Sequence, residues 1–310
     1  MMKTEECFKI QVMEAKNVFD LKNGTAIKKI VNSQGFRLEE PTTIVADPFL
    51  FVEEGILYLF YENKKMYHDG VISMISTKDL QKWTAPRVVL REKCHLSYPY
   101  VFKDQNKIYM IPETCSLNSI RIYEAVGGDL KQFRYVHTLL MDGDVLGTGF
   151  SYSDSSIYKK DGIYYLMTTV NDGTKNILKL FYSDRLFEGY KEHPCSPVYS
   201  NNKFGRCAGS MFKHKKTLYR VAQDCENGYG NNVHLFRVDQ MTICDYQETL
   251  IYENMIPVEV PFYKNGGHQF NTVEFKGKNI IATDAKEYKF YAINRILHKL
   301  GMYKNGAGVE

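Results

Sequence analysis

The sequence repeats a short pattern about every fifty residues. Each copy reads as an apolar run, a polar turn and a second apolar run, which is the pattern of a β-hairpin. The five copies lie at 47–61, 98–111, 154–167, 208–221 and 271–284. A repeat of roughly 40 to 50 residues is typical of β-propellers, in which each repeat folds into one four-stranded blade. The pattern therefore predicts an all-β fold, a five-bladed β-propeller.

The repeats divide the chain into a propeller and two flanking segments. We place the propeller at 41–290. The N-terminal segment, 1–40, contains an apolar run at 8–12 that we interpret as an edge strand or as a strand that closes the last blade. Apolar residues return at helical spacing after residue 290, so we expect a short C-terminal helix followed by a tail over 291–310.

Charge, apolar runs and cysteines limit the classes of protein that fit. The 310 residues include 40 basic and 36 acidic side chains without a basic stripe, which argues against binding to nucleic acid. No apolar run approaches the roughly 18 residues of a membrane span, although peripheral association with membrane glycan machinery stays open. The seven cysteines lack metal-site spacing and indicate free thiols. With an N-terminus that has no secretory pattern, they predict a cytoplasmic protein.

The residue that opens each repeat is the first place to look for function. The innermost strand of a propeller blade starts at the central channel, so the opening residues should meet at one mouth of that channel. They are Asp47, Tyr98, Asp154 and Ala208, and His268 leads into the fifth copy. Acids, an aromatic ring and a histidine in one funnel predict a ligand site, although a wet channel mouth needs polar residues in any case.

Three further residues complete the candidate site. Glu113 directly follows a proline that ends a predicted strand. Arg206 precedes the fourth repeat, and its planar guanidinium suits a phosphate or a carboxylate. Asn271 begins the fifth copy, and we predict that it binds substrate together with Tyr98, Arg206 and His268.

Four of the candidates also have a purely structural interpretation. Asp47 is a residue type that caps turns, Glu113 is placed to form a salt bridge, and His268 is equally consistent with a satisfied structural histidine. Tyr98 fits a stacking wall for a sugar and a plug in the channel equally well. No residue pattern requires a cofactor or a metal.

One set of motifs resembles the five-bladed glycosidase superfamily that includes glycoside hydrolase families 43 and 32. Asp47-Pro48 before an apolar strand is similar to the catalytic-base motif of that group, and 76–83 is similar to its outer-blade motif. Gly267-His268 resembles its axial histidine, which leaves a calcium ion near the propeller axis open. The resemblance implies that Asp47 is a catalytic base.

Two catalytic positions of family 43 differ in this chain. Tyr98 stands where the family has an Asp, and Ser153 stands where it has a Glu. Inverting hydrolysis requires a second carboxyl group as the acid, so Glu113 or Asp154 would have to supply it.

A second set of motifs resembles the N-terminal domain of plant glucosamine inositolphosphorylceramide transferase and its stand-alone bacterial relatives. The segments that carry this resemblance are 46–51, 97–102, 109–113 and 206–209. That family has Tyr-Pro where the hydrolases have Asp-Pro, as this chain does. The resemblance implies a role in making glycolipids or surface polysaccharides. In the plant protein a separate glycosyltransferase domain follows, and one alternative assigns the transfer activity to that domain.

Three functions follow from these observations, and we favour the first. It is sugar transfer from an activated donor such as a nucleotide sugar, with Asp47 as general base and Arg206 near phosphate, although no nucleotide-binding glycine motif is present. The second is an intracellular inverting glycosidase with Asp47 as base and Glu113 or Asp154 as acid. The third is a non-catalytic propeller that binds glycans.

Overall fold

A computed structural model describes residues 4–33, 39–144, 149 and 151–303 of the chain. These residues form twenty-two β-strands and one α-helix. In chain order the elements are β1 (Glu5–Ala15), β2 (Thr25–Ile30), β3 (Thr42–Glu53), β4 (Ile56–Lys65), β5 (Val71–Thr77), β6 (Arg87–Leu90), β7 (Ser97–Asp104), β8 (Lys107–Glu113), β9 (Ser119–Ala125), β10 (Phe133–Met141), β11 (Ser151–Lys160), β12 (Ile163–Asn171), β13 (Asn176–Ser183), β14 (Lys191–Glu192), β15 (Tyr199–Ser200), β16 (Arg206–Cys207), β17 (Phe212–His214), β18 (Thr217–Asp224), β19 (Asn232–Met241), β20 (Tyr246–Tyr252), β21 (Phe270–Phe275), β22 (Lys278–Lys289) and α1 (Ala292–Lys299).

The strands form five antiparallel sheets, which confirms the predicted five-bladed β-propeller. Blades one to three run outward as β3-β4-β5-β6, β7-β8-β9-β10 and β11-β12-β13-β14, with β15 also pairing to β13. Blade four runs β16-β18-β19-β20, and the short β17 pairs with β18 beyond β16. Blade five runs β21-β22-β1-β2, so it combines the two ends of the propeller.

The N-terminal segment is part of the propeller. Strand β1 pairs with β22 over its whole length, from Glu5 opposite Lys289 to Ala15 opposite Asn279. Strand β2 then covers β1 as the outer edge of the same blade. The apolar run at 8–12 therefore belongs to the strand that closes the last blade and not to an edge strand. It pairs the first strand of the chain with the last.

Neighbouring blades pack through the alternating faces of their inner strands. In β4, Leu59 packs in a cluster that contains Phe275 of blade five, whereas Phe60 packs in a cluster that contains Val101 of blade two. Both side chains are fully buried. Because both faces of the strand are covered, β4 has a continuous apolar run over 56–61 instead of the polar–apolar alternation of a half-exposed strand.

The opening residues of the first three repeats share one backbone conformation. Asp47, Tyr98 and Asp154 have φ values of 52°, 46° and 52°, in the left-handed region that non-glycine residues seldom adopt. The register of each hairpin ladder shifts at the same point, which marks a β-bulge. Bulges re-aim side chains and are frequent beside functional sites. The sequence repeat is therefore also a repeat of backbone geometry at the channel mouth.

The C-terminal helix is present as predicted, at Ala292–Lys299. The predicted tail over 304–310 lies outside the described residues. All seven cysteines are free. None of the helices formed by the described residues has the length and apolar character needed to cross a membrane.

Candidate functional site

A second polar position recurs fifteen residues after each opening residue. It follows Asp47, Tyr98, Asp154 and Ala208, and in blade five it follows Gln269. The residues at this position are Glu62, Glu113, Thr169, Gln223 and Asp284. In the first three blades it lies on the second strand, opposite the residue that precedes the opening residue. Each hairpin therefore brings two polar side chains to the mouth.

Several of these side chains connect one blade to the next. In each case a side-chain oxygen accepts the backbone N–H at the start of the following blade. The contacts are Asp284 Oδ2 with Asp47 N at 3.1 Å, Asp47 Oδ2 with Tyr98 N at 3.1 Å, Glu113 Oε2 with Asp154 N at 3.2 Å and Thr169 Oγ1 with Cys207 N at 2.9 Å. The acids at the mouth therefore have a structural role, and any chemistry must be performed by groups that also hold the ring together.

His268 lies between two of the acids. Its Nε2 is 3.2 Å from Asp47 Oδ1, and its Nδ1 is 2.8 Å from Asp284 Oδ2. Burial alone would lower the pKa of His268, but the carboxylates of Asp284 and Asp47 raise it well above its ordinary value. The two carboxylates therefore favour the charged form of His268 next to the predicted base.

Asp47, His268 and Asp284 are also close enough to share a metal ion, since one ligand atom from each lies within 4.8 Å of the others. Their oxygens, however, are already engaged. Asp284 Oδ1 accepts two backbone N–H groups, and the other three carboxylate oxygens contact His268 or a backbone N–H. Calcium requires about six to eight oxygen ligands. The donor set does not fit calcium, and calcium binding stays a prediction for titration.

Asp154, Glu113 and Arg206 form a second charged group at the mouth. Arg206 Nε lies 2.7 Å from Asp154 Oδ2, and Nη2 lies 3.8 Å from Glu113 Oε2. Burial raises the pKa of Asp154 well above its usual range, because Arg206 offsets the effect only in part and Glu113 adds to it. Burial would also raise the pKa of Glu113, but Arg206 lowers it overall. The pKa values of the two carboxyl groups are therefore shifted in opposite directions, and that of Asp154 is the higher.

Tyr98 crosses the centre of the propeller. Its side chain is 1% exposed, and its hydroxyl accepts the N–H of Gly209 in blade four at 2.9 Å. Gly209 has a φ of 140°, and a Cβ there would lie 2.2 Å from the carbonyl oxygen of Phe270. Only glycine allows this approach. This geometry favours the plug over the stacking wall, and substrate binding by Tyr98 stays a prediction.

Asn271 connects blade five to blade one. Its Oδ1 accepts the N–H of Leu50 at 2.9 Å, and the side chain is buried. The structure thus places five predicted residues in the two charged groups around the mouth, with Tyr98 in the channel and Asn271 between two blades. A role for Asn271 in substrate binding stays a prediction.

Tyr229 is a mouth residue that the sequence analysis missed. It lies in the β18–β19 loop, outside the hairpin repeat, and it is 41% exposed. Its ring centroid is 5.1 Å from the Arg206 guanidinium and 5.2 Å from the His268 ring. An exposed ring over buried charges is the arrangement of a stacking platform. No spacing in the sequence could place this loop above Arg206, because the contact depends on the closed ring.

Glu62 and His95 form a further pair beside Asp47. Glu62 follows Asp47 at the recurrent spacing of fifteen residues, a signal that could have identified it. The Gly70 N–H donates to His95 Nδ1 at 3.0 Å, so His95 Nε2 carries the ring proton and faces Glu62 Oε1 at 3.2 Å. A Cβ at Gly70 would lie 2.5 Å from the carbonyl oxygen of Leu96. The close approach of the Gly70 backbone thus fixes the tautomer of His95.

The mouth therefore combines an exposed aromatic ring, a cation that contacts two acids, and a carboxyl group that contacts His268. Tyr229 can stack on a sugar face, and Arg206 can face a negative group. Asp154 and Asp47 are buried carboxyl groups at this mouth, the first beside Arg206 and the second beside His268. These groups make the mouth the candidate functional site of the propeller.

Sequence comparison identifies relatives. The chain matches the family described as glucosamine inositolphosphorylceramide transferase 1, N-terminal, over residues 4–280. The protein named glucosamine inositolphosphorylceramide transferase 1 in Oryza sativa subsp. japonica is 33% identical over 216 residues, covering 67% of this chain and 28% of the rice protein. The Arabidopsis thaliana protein of that name is 30% identical over 268 residues, covering 82% of this chain and 32% of its own length. The chain therefore spans about three tenths of these relatives.

A comparison with solved structures finds the fold of this chain in glycoside hydrolases. An α-L-arabinofuranosidase from Clostridium thermocellum superposes with a TM-score of 0.57 at 18% identity, covering 76% of this chain and 80% of that enzyme. A family 32 β-fructofuranosidase from Bombyx mori superposes with a TM-score of 0.54 at 15% identity, covering 77% of this chain and 54% of that enzyme. The resemblance to the transferase N-terminal domain is confirmed as family membership, and the resemblance to the glycoside hydrolases is confirmed for the fold alone.

Proposed function

Since this chain belongs to the family of the N-terminal domain of glucosamine inositolphosphorylceramide transferase 1, we propose that it binds an activated sugar at the propeller mouth and transfers the sugar to an acceptor hydroxyl. The coarser part of this statement, a sugar-related function, agrees with the relatives and with the fold. The observation that carries the finer part is the position of Arg206, which lies under the exposed ring of Tyr229 and beside Asp154.

The donor would bind with its sugar on Tyr229 and its phosphate toward Arg206. The raised pKa of Asp154 supports this assignment. Because burial raises the pKa of Asp154, this carboxyl group opposes the charge of Arg206 less than a fully exposed carboxylate would, and an incoming anion can compete with it. A bound phosphate could then replace the contact with Asp154, because a guanidinium suits phosphate and carboxylate geometry alike.

Asp47 would act as the general base. In the transfer step the acceptor oxygen forms a bond to the anomeric carbon, and its proton moves to Asp47. The bond between the anomeric carbon and the donor oxygen breaks, and the leaving phosphate keeps the electron pair beside Arg206. His268 would hold Asp47 in position from the opposite side, at 3.2 Å.

One observation favours a second candidate, an inverting glycoside hydrolase. Burial raises the pKa of Asp154 well above its usual range, which is the direction that the acid of such an enzyme needs. Asp47 would then activate water in place of an acceptor. Release of the aryl group from a panel of aryl glycosides, lost in Asp47→Asn and in Asp154→Asn, would favour this candidate. A non-catalytic glycan-binding propeller would instead bind sugar without turnover after either substitution.

The test is a thermal-shift screen of the purified chain against nucleotide sugars, free monosaccharides and calcium. A ligand that binds only the folded state raises the melting temperature by mass action. We expect a nucleotide sugar to stabilise the wild-type protein. The same ligand should produce transferred product with wild type but not with Asp47→Asn, whereas Asp129→Asn, at an exposed loop position, should behave as wild type. Stabilisation by free sugars alone would contradict the donor assignment.

A further inference from the structure

The C-terminal helix packs against the propeller with its polar side. Asn294 is buried and donates a hydrogen bond to the Tyr303 hydroxyl at 2.7 Å. The ring of His298 stacks on Tyr67 with 3.6 Å between centroids. Arg295 forms an ion pair with Glu5 of β1. The contacts that hold α1 are therefore made by polar and aromatic groups.

The apolar side of the same helix faces outward. Ile293, Ile296 and Leu300 follow one another at spacings of three and four residues and are 40%, 57% and 69% exposed. Met302, just after the helix, is 59% exposed. A helix on a globular protein normally buries such a stripe against the core. Here the orientation is reversed, so the stripe is available to a partner.

One cation beside this stripe is not neutralised by an acid. Between residues 288 and 303 the chain has three basic residues and no Asp or Glu, but Lys289 pairs with Glu287 and Arg295 with Glu5. Lys299 ends α1 and forms no ion pair with any described residue. Two aromatic side chains, Tyr288 and Phe290, precede the helix and are 52% and 42% exposed. Apolar, aromatic and cationic side chains together are the composition of segments that lie in a membrane interface.

Strand direction places the helix at the end of the propeller where the mouth residues lie. Strand β22 brings Asp284 to the mouth and continues in the same direction to α1. Tyr67, on which the helix rests, lies in the β4–β5 loop, at the end of the strand that carries Glu62 to the mouth. An object that covers the apolar stripe would therefore lie at the same end of the propeller as the mouth residues.

We propose that the outward face of α1, with Tyr288 and Phe290, docks the mouth-bearing face of the propeller onto an anionic lipid bilayer. A second copy of the chain is disfavoured by area. A helix of eight residues is about 12 Å long and about 10 Å wide, a footprint on the order of 100 Å², whereas a stable protein interface needs about 800 Å² on each partner. A bilayer needs no such minimum, because it accepts a small apolar wedge supported by cationic groups.

The test is flotation of the full chain with vesicles of phosphatidylcholine alone and of phosphatidylcholine with about 30 mol % phosphatidylglycerol. We expect binding to the anionic vesicles that weakens at about 0.5 M salt. The double variant Ile296→Ser/Leu300→Ser should reduce the bound fraction at least about fivefold. The control Ile243→Ser/Val258→Ser removes apolar side chains that are 45% and 49% exposed elsewhere, and it should bind as wild type.

Three results would overturn the proposal. The first is the absence of wild-type binding, and the second is equal binding by Ile296→Ser/Leu300→Ser. The third is a dimer in sedimentation velocity that the same substitutions dissociate, which would assign the stripe to a second copy. The four substituted positions, 243, 258, 296 and 300, are all exposed, so we expect the urea midpoint of each variant to be unchanged. The proposal goes beyond the sugar site, and its failure would leave ligand-induced thermal shifts unaffected.

Discussion

Replacing Arg206 with methionine should destabilise the propeller strongly. Arg206 lies 2.7 Å from Asp154 and 3.8 Å from Glu113, and its side chain is 17% exposed. Methionine keeps much of the apolar volume but removes the cation, which leaves two buried carboxyl groups beside each other. Removal of one partner from a buried ion pair typically costs about 3–5 kcal/mol. We expect a loss in this range near pH 8.

The loss of stability in Arg206→Met should shrink as the pH falls, because protonation neutralises the two carboxyl groups. Arg206 lowers the pKa of Glu113 in the folded protein. A group with a lowered folded pKa adds stability above its unfolded pKa, and that stability is lost as the pH falls through the folded pKa. The variant forfeits this contribution, so the difference from wild type should be largest at high pH. At about pH 5, close to the ordinary range of carboxyl groups, it should fall to about half or less.

The assay is urea unfolding followed by far-UV circular dichroism, at about pH 8 and about pH 5. With a slope of about 3 kcal/mol/M, the variant should lower the midpoint by about 1–1.7 M at the higher pH. The matched control is Arg185→Met, which removes a cation that pairs with Glu188 and is 61% exposed. Such surface pairs contribute about 0–1 kcal/mol. Equal losses for the two variants, or a pH-independent loss for Arg206→Met, would refute the reasoning.

Further predictions concern His268, Gly70 and Tyr98. The pKa of His268 is raised in the folded protein. Its contribution to the free energy of unfolding is therefore complete below about pH 6.5 and is lost as the pH rises through the pKa of the folded state. In a series of urea melts, the difference in stability between wild type and His268→Gln should narrow with rising pH. Gly70→Ala places a Cβ 2.5 Å from the carbonyl oxygen of Leu96 and should cost about 1–3 kcal/mol, whereas Gly128→Ala, where nothing lies within 4 Å, should leave the urea midpoint near wild type. Tyr98→Phe strands a buried backbone N–H of blade four and should cost about 1–3 kcal/mol in the same assay; an unchanged midpoint would contradict the plug.

The fold followed from the sequence because a hairpin is a local pattern. Apolar run, turn and apolar run can be read within about fifteen residues, and five copies fix the number of blades. The role of the N-terminal apolar run at 8–12 stayed open, because its partner β22 lies more than two hundred residues away in the chain. Only the closed ring reveals that pairing.

The candidate site followed from the sequence only in part. The repeat placed Asp47 and Asp154 at the mouth, since residues in equivalent repeat positions occupy equivalent places in space. Glu62 was missed although it follows the spacing that also connects Tyr98 with Glu113. Tyr229 lies in a loop without repeat character, and loops are positioned by the scaffold around them. Its place above Arg206 could not be inferred before the fold was known.

The central claim is that the propeller mouth is the sugar site. The most direct measurement is a crystal structure of the chain with the nucleotide sugar that gives the largest thermal shift. We predict electron density for the sugar against the Tyr229 ring, for phosphate within hydrogen-bond distance of Arg206, and an open path to Asp47. Density for the ligand at any other surface, with the mouth unchanged, would contradict the account.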